Sequence, residues 1–144
     1  MAAAALAGPG DVVAQSMGGV VAIGLALRHP EQVRRLVLVA TSGGIDMPGL
    51  GGADWRAEYR HEYPDAAPWV TAERPDHGDA IKDITAPTLL IWSDDDPVSP
   101  VAAGERLAEL LPRSELRVIP AAGGHGFARE RPRTVASMIA AHLR

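Results

Sequence analysis

Ser16, Asp96 and His125 are the residues of this sequence whose types and order could do chemistry together. A hydroxyl, a carboxylate and an imidazole are the parts of a relay in which the ring takes the hydroxyl proton while the carboxylate holds the ring. Ser16 follows Asp11-Val12-Val13-Ala14 and precedes a long apolar stretch, and Ala14, Gly18 and Gly19 around it permit a sharp turn. Serine is also a preferred helix N-cap, so the position alone is ambiguous. A strand, tight turn and helix in that order would project Oγ beyond a sheet and turn the next amide, that of Met17, toward a developing oxyanion. His125 stands among glycines after the last apolar run. The other four histidines read as surface or helix-end residues: His29 and His142 on helices, His61 and His77 in a variable middle. Asp94, Asp95 and Asp96 form a run that needs no function as a solvated turn. Asp96, followed by Pro97, is the acid selected to orient His125, with Asp46 the competing acid. The run lacks the further oxygen ligands and turn glycine of a calcium loop. No metal site and no cofactor is expected.

The elements that must position these groups come from apolar periodicity. Asp11–Ala14 reads as a short strand and Met17–Arg28 as a helix, apolar on every face and so expected to be buried on all sides. His29-Pro30 ends it. Leu36–Ala40 and Thr88–Trp92 are continuous apolar runs, the pattern of parallel strands covered on both faces. Val101–Leu111 carries one apolar stripe, as an amphipathic helix does. Leu116–Ile119 supplies a fourth strand, and Val135, Met138, Ile139 and Leu143 recur at helical spacing to close the chain. Strands alternating with helices predict an open, mostly parallel α/β sheet. Ligands bind such sheets beyond the carboxyl ends of the strands, where Ser16, Asp46, Asp96 and His125 all fall.

The composition excludes several alternatives. With 144 residues the chain has room for one domain. Residues 1–10 read as a small-residue leader and 11–144 as that domain. The absence of cysteine removes disulfides, thiolate metal sites and cysteine nucleophiles. A net charge of −4 has the wrong sign for a nucleic-acid backbone binder. The apolar run Val12–Leu27 is too short and too diluted by Gln15, Ser16 and glycines to span a bilayer, so no membrane partner is expected. The opening MAAAALAG lacks the basic residues of a secretory signal, which leaves a cytoplasmic address as the default. Neither a G-x-G-x-x-G nor a G-K-[ST] follows a strand, which argues against dinucleotide and P-loop sites.

Four stretches together resemble the α/β-hydrolase family. Val12-Val13-Ala14-Gln15-Ser16-Met17-Gly18-Gly19 resembles its G-x-S-x-G elbow, with Ala14 for the first glycine. Arg28-His29-Pro30 and Val33–Leu38 resemble the approach to its sixth strand. Pro87–Pro100 resembles its seventh strand and acid loop, where Asp96 falls on the catalytic acid. Gly124-His125-Gly126-Phe127, with Glu130 and Pro132, resembles its histidine loop. The chain order Ser, Asp, His is the order this family uses.

The resemblance implies a truncated α/β-hydrolase fold of about four strands, matching the family from the elbow onward, with 46–82 as a short lid. It implies a serine hydrolase of small carboxylic esters, with Ser16, Asp96 and His125 catalytic and Met17 supplying an oxyanion donor. The family's preceding loop, which supplies a second donor, has no counterpart motif here, and losing one donor typically costs about 10²–10³ in kcat. The alternative is a non-catalytic interaction module. Val12–Ala14 is expected to form a bare sheet edge, which predicts a homo-oligomer or strand-swapped dimer. Trp55, Tyr59 and Tyr63 make an aromatic stripe if helical, read as core in preference to a substrate wall. Pro48, Pro64, Pro68 and Pro75 should keep the rest of the lid irregular, with little room for a large cavity.

Overall fold

Strands whose two faces are both covered should carry apolar residues at every position, and the computed structural model, which describes residues 8–74 and 76–144, shows how that covering is built. Four strands lie parallel in the order β1 (Gly10–Gln15), β2 (Val33–Val39), β3 (Thr88–Ser93) and β4 (Ser114–Ile119). Leu38 lies opposite Ala14 on one side and Leu90 on the other, and Leu90 opposite Leu116. The period of two along each strand then divides the core. Leu36, Leu38, Leu90 and Trp92 pack on one face against α1 (Met17–Arg28) and α3 (Val101–Leu110). Val37, Val39, Leu89 and Ile91 pack on the other against Phe127, in the short α4 (Phe127–Glu130), and Val135, in α5 (Pro132–His142).

Helix α1 departs from the expectation that it is buried on all sides. Val20, Ala22, Ile23 and Ala26 are buried, but Val21 is 58% exposed. The sheet covers one face of α1, and among the described residues nothing covers the face that carries Val21. Its end follows the sequence signals: the His29 amide donates to Leu25 O and Pro30 opens a 3-10 turn. The connection 46–82 is less irregular than its prolines suggest. It contains α2 (Arg56–Glu62) and 3-10 turns at Pro48–Leu50, Pro68–Val70 and Gly78–Asp83. Ile81 and Ile84, at its end, are buried against the sheet beside α1 and α3. Of the expected leader, residues 1–7 lie outside the described residues, as does Pro75, and Gly10 already belongs to β1.

Candidate active site

Ser16 occupies the single residue between β1 and α1, and its backbone is strained, with φ 51° and ψ −124°. A non-glycine residue keeps such a conformation only when its surroundings impose it, at roughly 1–3 kcal/mol. Here they do. The Ser16 amide donates to Val39 O at 2.9 Å, and its carbonyl accepts from the Thr41 hydroxyl at 2.5 Å and the Gly19 amide at 2.9 Å. Gly19 leaves no room for a side chain unless Thr41 shifts, because a Cβ there would collide with the buried Thr41 side chain. Ala14, by contrast, is accommodated, since a Cβ on Gly18 would sit 3.7 Å from the Ala14 methyl, an ordinary contact. The N-cap reading of Ser16 fails: its hydroxyl caps no amide of α1.

That hydroxyl lies 2.8 Å from His125 Nε2, and His125 Nδ1 lies 2.8 Å from Asp96 Oδ2. The Asp96 carboxylate is fully covered, and its other oxygen accepts from the amides of Val98 and Ser99 at 2.9 and 3.0 Å. An acceptor filled on one side by two amides presents its remaining oxygen to one partner, and that partner is the imidazole. The three groups thus form one line, from strand-end loops of β1, β3 and β4. Asp46, the competing acid, sits at the wall of the adjacent cavity and is exposed. Met17 opens α1 directly after Ser16 and also lines the cavity. Among the described residues no cluster of three His, Asp or Glu side chains is arranged to hold a metal ion, and no helix is long and apolar enough to cross a membrane.

The cavity measures about 640 Å³, an ordinary size for a small-molecule site despite the short connection that supplies one wall. Ser16, Met17, Trp55, Arg74, Val98 and His125 are among its lining residues. The aromatic stripe is not core. Trp55 and Tyr59 meet edge to face at 5.6 Å and Tyr59 and Tyr63 lie 4.8 Å apart, but Tyr63 is 49% exposed and Trp55 faces the cavity.

Sequence reasoning missed three contributors. Thr41 carried no motif and became visible only through its bond to Ser16 O. Arg74, in the irregular part of the lid, donates to Trp69 O and Val70 O, both at 2.7 Å, and reaches Met17 Sδ at 2.8 Å. It has no carboxylate partner among the described residues, whereas Arg56, the other cavity arginine, lies 3.5 Å from Asp54. Asp95, passed over in favour of its neighbour, accepts from Ser93 and from the amides of Gly123 and Gly124. The Ser93 hydroxyl, followed by these amides, holds the Asp95 carboxyl below the ordinary carboxylate value, so it is an anion at neutral pH.

Comparison with known proteins follows the same lines. The chain is 30% identical over 170 residues to a pimeloyl-[acyl-carrier protein] methyl ester esterase of Neisseria meningitidis, matching 87% of this chain and spanning 66% of that relative's length. It is 51% identical over 45 residues, 31% of this chain and 16% of the relative, to a 2-hydroxymuconate semialdehyde hydrolase of Pseudomonas putida. Among solved structures, a thermophilic esterase from Thermogutta terrifontis superposes with a TM-score of 0.77 at 24% identity, covering 99% of this chain and 67% of that one. At this identity the likeness concerns the fold alone. A meta-cleavage product hydrolase from Pseudomonas fluorescens gives 0.71 at 22% identity, covering 99% and 66%. Residues 53–144 match the family model described as TAP-like protein, and with this fold and these relatives the chain belongs to the α/β-hydrolase family.

Proposed function

We propose that the chain is a serine hydrolase acting on small carboxylic esters. Ser16 attacks the ester carbonyl as His125 takes its proton, and the Met17 amide donates to the oxyanion. His125 returns the proton to the leaving alcohol, and water then releases the acyl group from Ser16 by the same route. Asp96 holds the imidazole in the tautomer that presents Nε2 to the serine. The observation that carries the reading is the unbroken line from Ser16 Oγ through His125 to Asp96 at the mouth of a cavity. A serine at this position argues against dehalogenation, which uses a carboxylate nucleophile on this scaffold.

Arg74 supports a narrower substrate class. A guanidinium in the cavity, held by carbonyl oxygens and unmatched by a carboxylate, suits an ester whose acyl part carries an acid group. The acidic residues Asp46, Asp54, Glu73 and Asp76 also line the cavity but are exposed to solvent, and Asp54 faces Arg56.

A fluorophosphonate probe together with p-nitrophenyl acetate turnover tests the assignment. Native protein should label and hydrolyse, and Ser16→Ala should do neither. A second reading, an interaction module without turnover, draws on the edge strand β1, which pairs on one side only among the described residues. Identical behaviour of native protein and Ser16→Ala in both assays would favour that reading and end the first.

A further inference from the structure

Three successive carboxylates at the end of β3 repel one another, and such a run persists where each has its own donors. Asp96 faces His125 and two amides of its own loop. Asp94 and Asp95 accept instead from the backbone of the loop that carries the histidine. The Ala121 amide donates to Asp94 Oδ1 at 2.7 Å. The Ala122 amide donates to Ser93 Oγ at 3.2 Å. The Gly123 and Gly124 amides donate to Asp95 Oδ2 and Oδ1 at 3.2 and 3.0 Å, and the Ser93 hydroxyl donates to the same Oδ1. Four consecutive amides, the last of them adjoining His125, are thus taken by three consecutive side chains, the last of them adjoining Asp96.

The backbone of the histidine loop is shaped for this grip. Ala121, Gly123 and Gly124 have φ of 44°, 110° and 62°, in the left-handed region. Turned residues of this kind aim successive N–H groups to one side, and the resulting concavity binds an anion. The anion here is the protein's own Asp95 carboxylate. A Cβ on Gly123 would press on the Glu130 side chain at 2.9 Å as well, so glycine is required there for both reasons.

We propose that Ser93, Asp94 and Asp95 form a clasp that positions His125 for its bonds to Ser16 and Asp96, with Asp95 as its anionic centre. The hydrogen bonds of the clasp go to the backbone of the histidine loop and not to Ser16 Oγ or the ring, so these are positioning residues. The proposal rests on the hydrolase reading for its kinetic consequences but not for its structural one. The histidine loop and the acid loop leave different strands, β4 and β3, and two 2.8 Å bonds to one imidazole require their separation to be fixed. The register of β3 against β4 ends at Ser93 and Ile119, with one more backbone bond from the Asp94 amide to Ile119 O at 3.4 Å, and beyond that point the clasp takes over.

Asp95→Asn is the direct test, because an amide group turns N–H toward one of the loop amides in place of an acceptor. Asp95 is exposed, so the fold should survive, as a thermal melt would register. A positioning role predicts a fall in kcat of roughly ten- to a hundred-fold with little change in KM. It also predicts that the downfield proton resonance of the His125 Nδ1–H bonded to Asp96, present in the native protein, is lost or broadened. Ser93→Ala, which removes one donor and one acceptor of the clasp, should move both readouts in the same direction and serves where Asp95→Asn fails to fold. If the native protein neither labels nor turns over, the hydrolase reading fails, and the resonance alone still decides the clasp. Variants that keep native kcat, or lose it while the resonance stays unmoved, would overturn the clasp.

Discussion

Ser16 is held where serine does not rest by choice, and the Thr41 hydroxyl and the Val39 carbonyl are what hold it. The same constraint frees Oγ from capping α1 and delivers it to His125. Arg74 is the other residue whose role is set by its neighbours. Two carbonyls fix the guanidinium beside Met17 without neutralising it. A charge-assisted contact is worth about 1.5–3 kcal/mol. Replacing Arg74 with Gln should therefore raise KM for a monoester of a dicarboxylic acid by about ten-fold or more relative to KM for a neutral ester of the same length. Steady-state kinetics on the matched pair of esters measures that ratio. An unchanged ratio would remove Arg74 from substrate recognition.

At the scale of elements, α1 approaches the residues after β2 closely because Gly19 has no side chain. Gly19→Ala must displace Thr41, which donates to Ser16 O and accepts from the Gly43 amide at 3.0 Å. Overpacking of this kind costs about 1–3 kcal/mol. We expect a lowered melting temperature together with slower fluorophosphonate labelling, since stability and the serine turn share one contact. The inner strands β2 and β3 were readable from the unbroken apolar runs Leu36–Ala40 and Thr88–Trp92, because coverage on both faces leaves no polar position there, whereas the outer strands β1 and β4 carry polar and exposed residues. The aromatic stripe was not readable in the same way. Helical spacing tells which residues share a face of α2 but not what that face meets, and here Trp55 meets a cavity.

For the whole molecule, the sheet ends on one side at β1, where Val13 is 49% exposed, and β1 pairs only with β2 among the described residues. Open edges with exposed apolar side chains recruit another strand. Self-association at micromolar concentration is the expected outcome, with sedimentation velocity as the measurement. Val13→Lys places a charge on that edge and should shift the population toward monomer. A native protein that sediments as a monomer would contradict the expectation.

The sequence by itself determined the strands, the small-residue turn at Ser16, the glycine-flanked His125 and the parallel character of the sheet. These follow from periodicity, steric freedom and apolar runs, which act between residues near in the chain. Asp96 was already the sequence's choice over Asp46, but only the tertiary structure decided that Asp95 grips the histidine loop. It also decided that Thr41 and Arg74 belong to the site and that one face of α1 is left open. The contacts of Asp96, Asp95 and Thr41 join segments far apart in sequence, brought together by the register of neighbouring strands, and local patterning carries no information at that range.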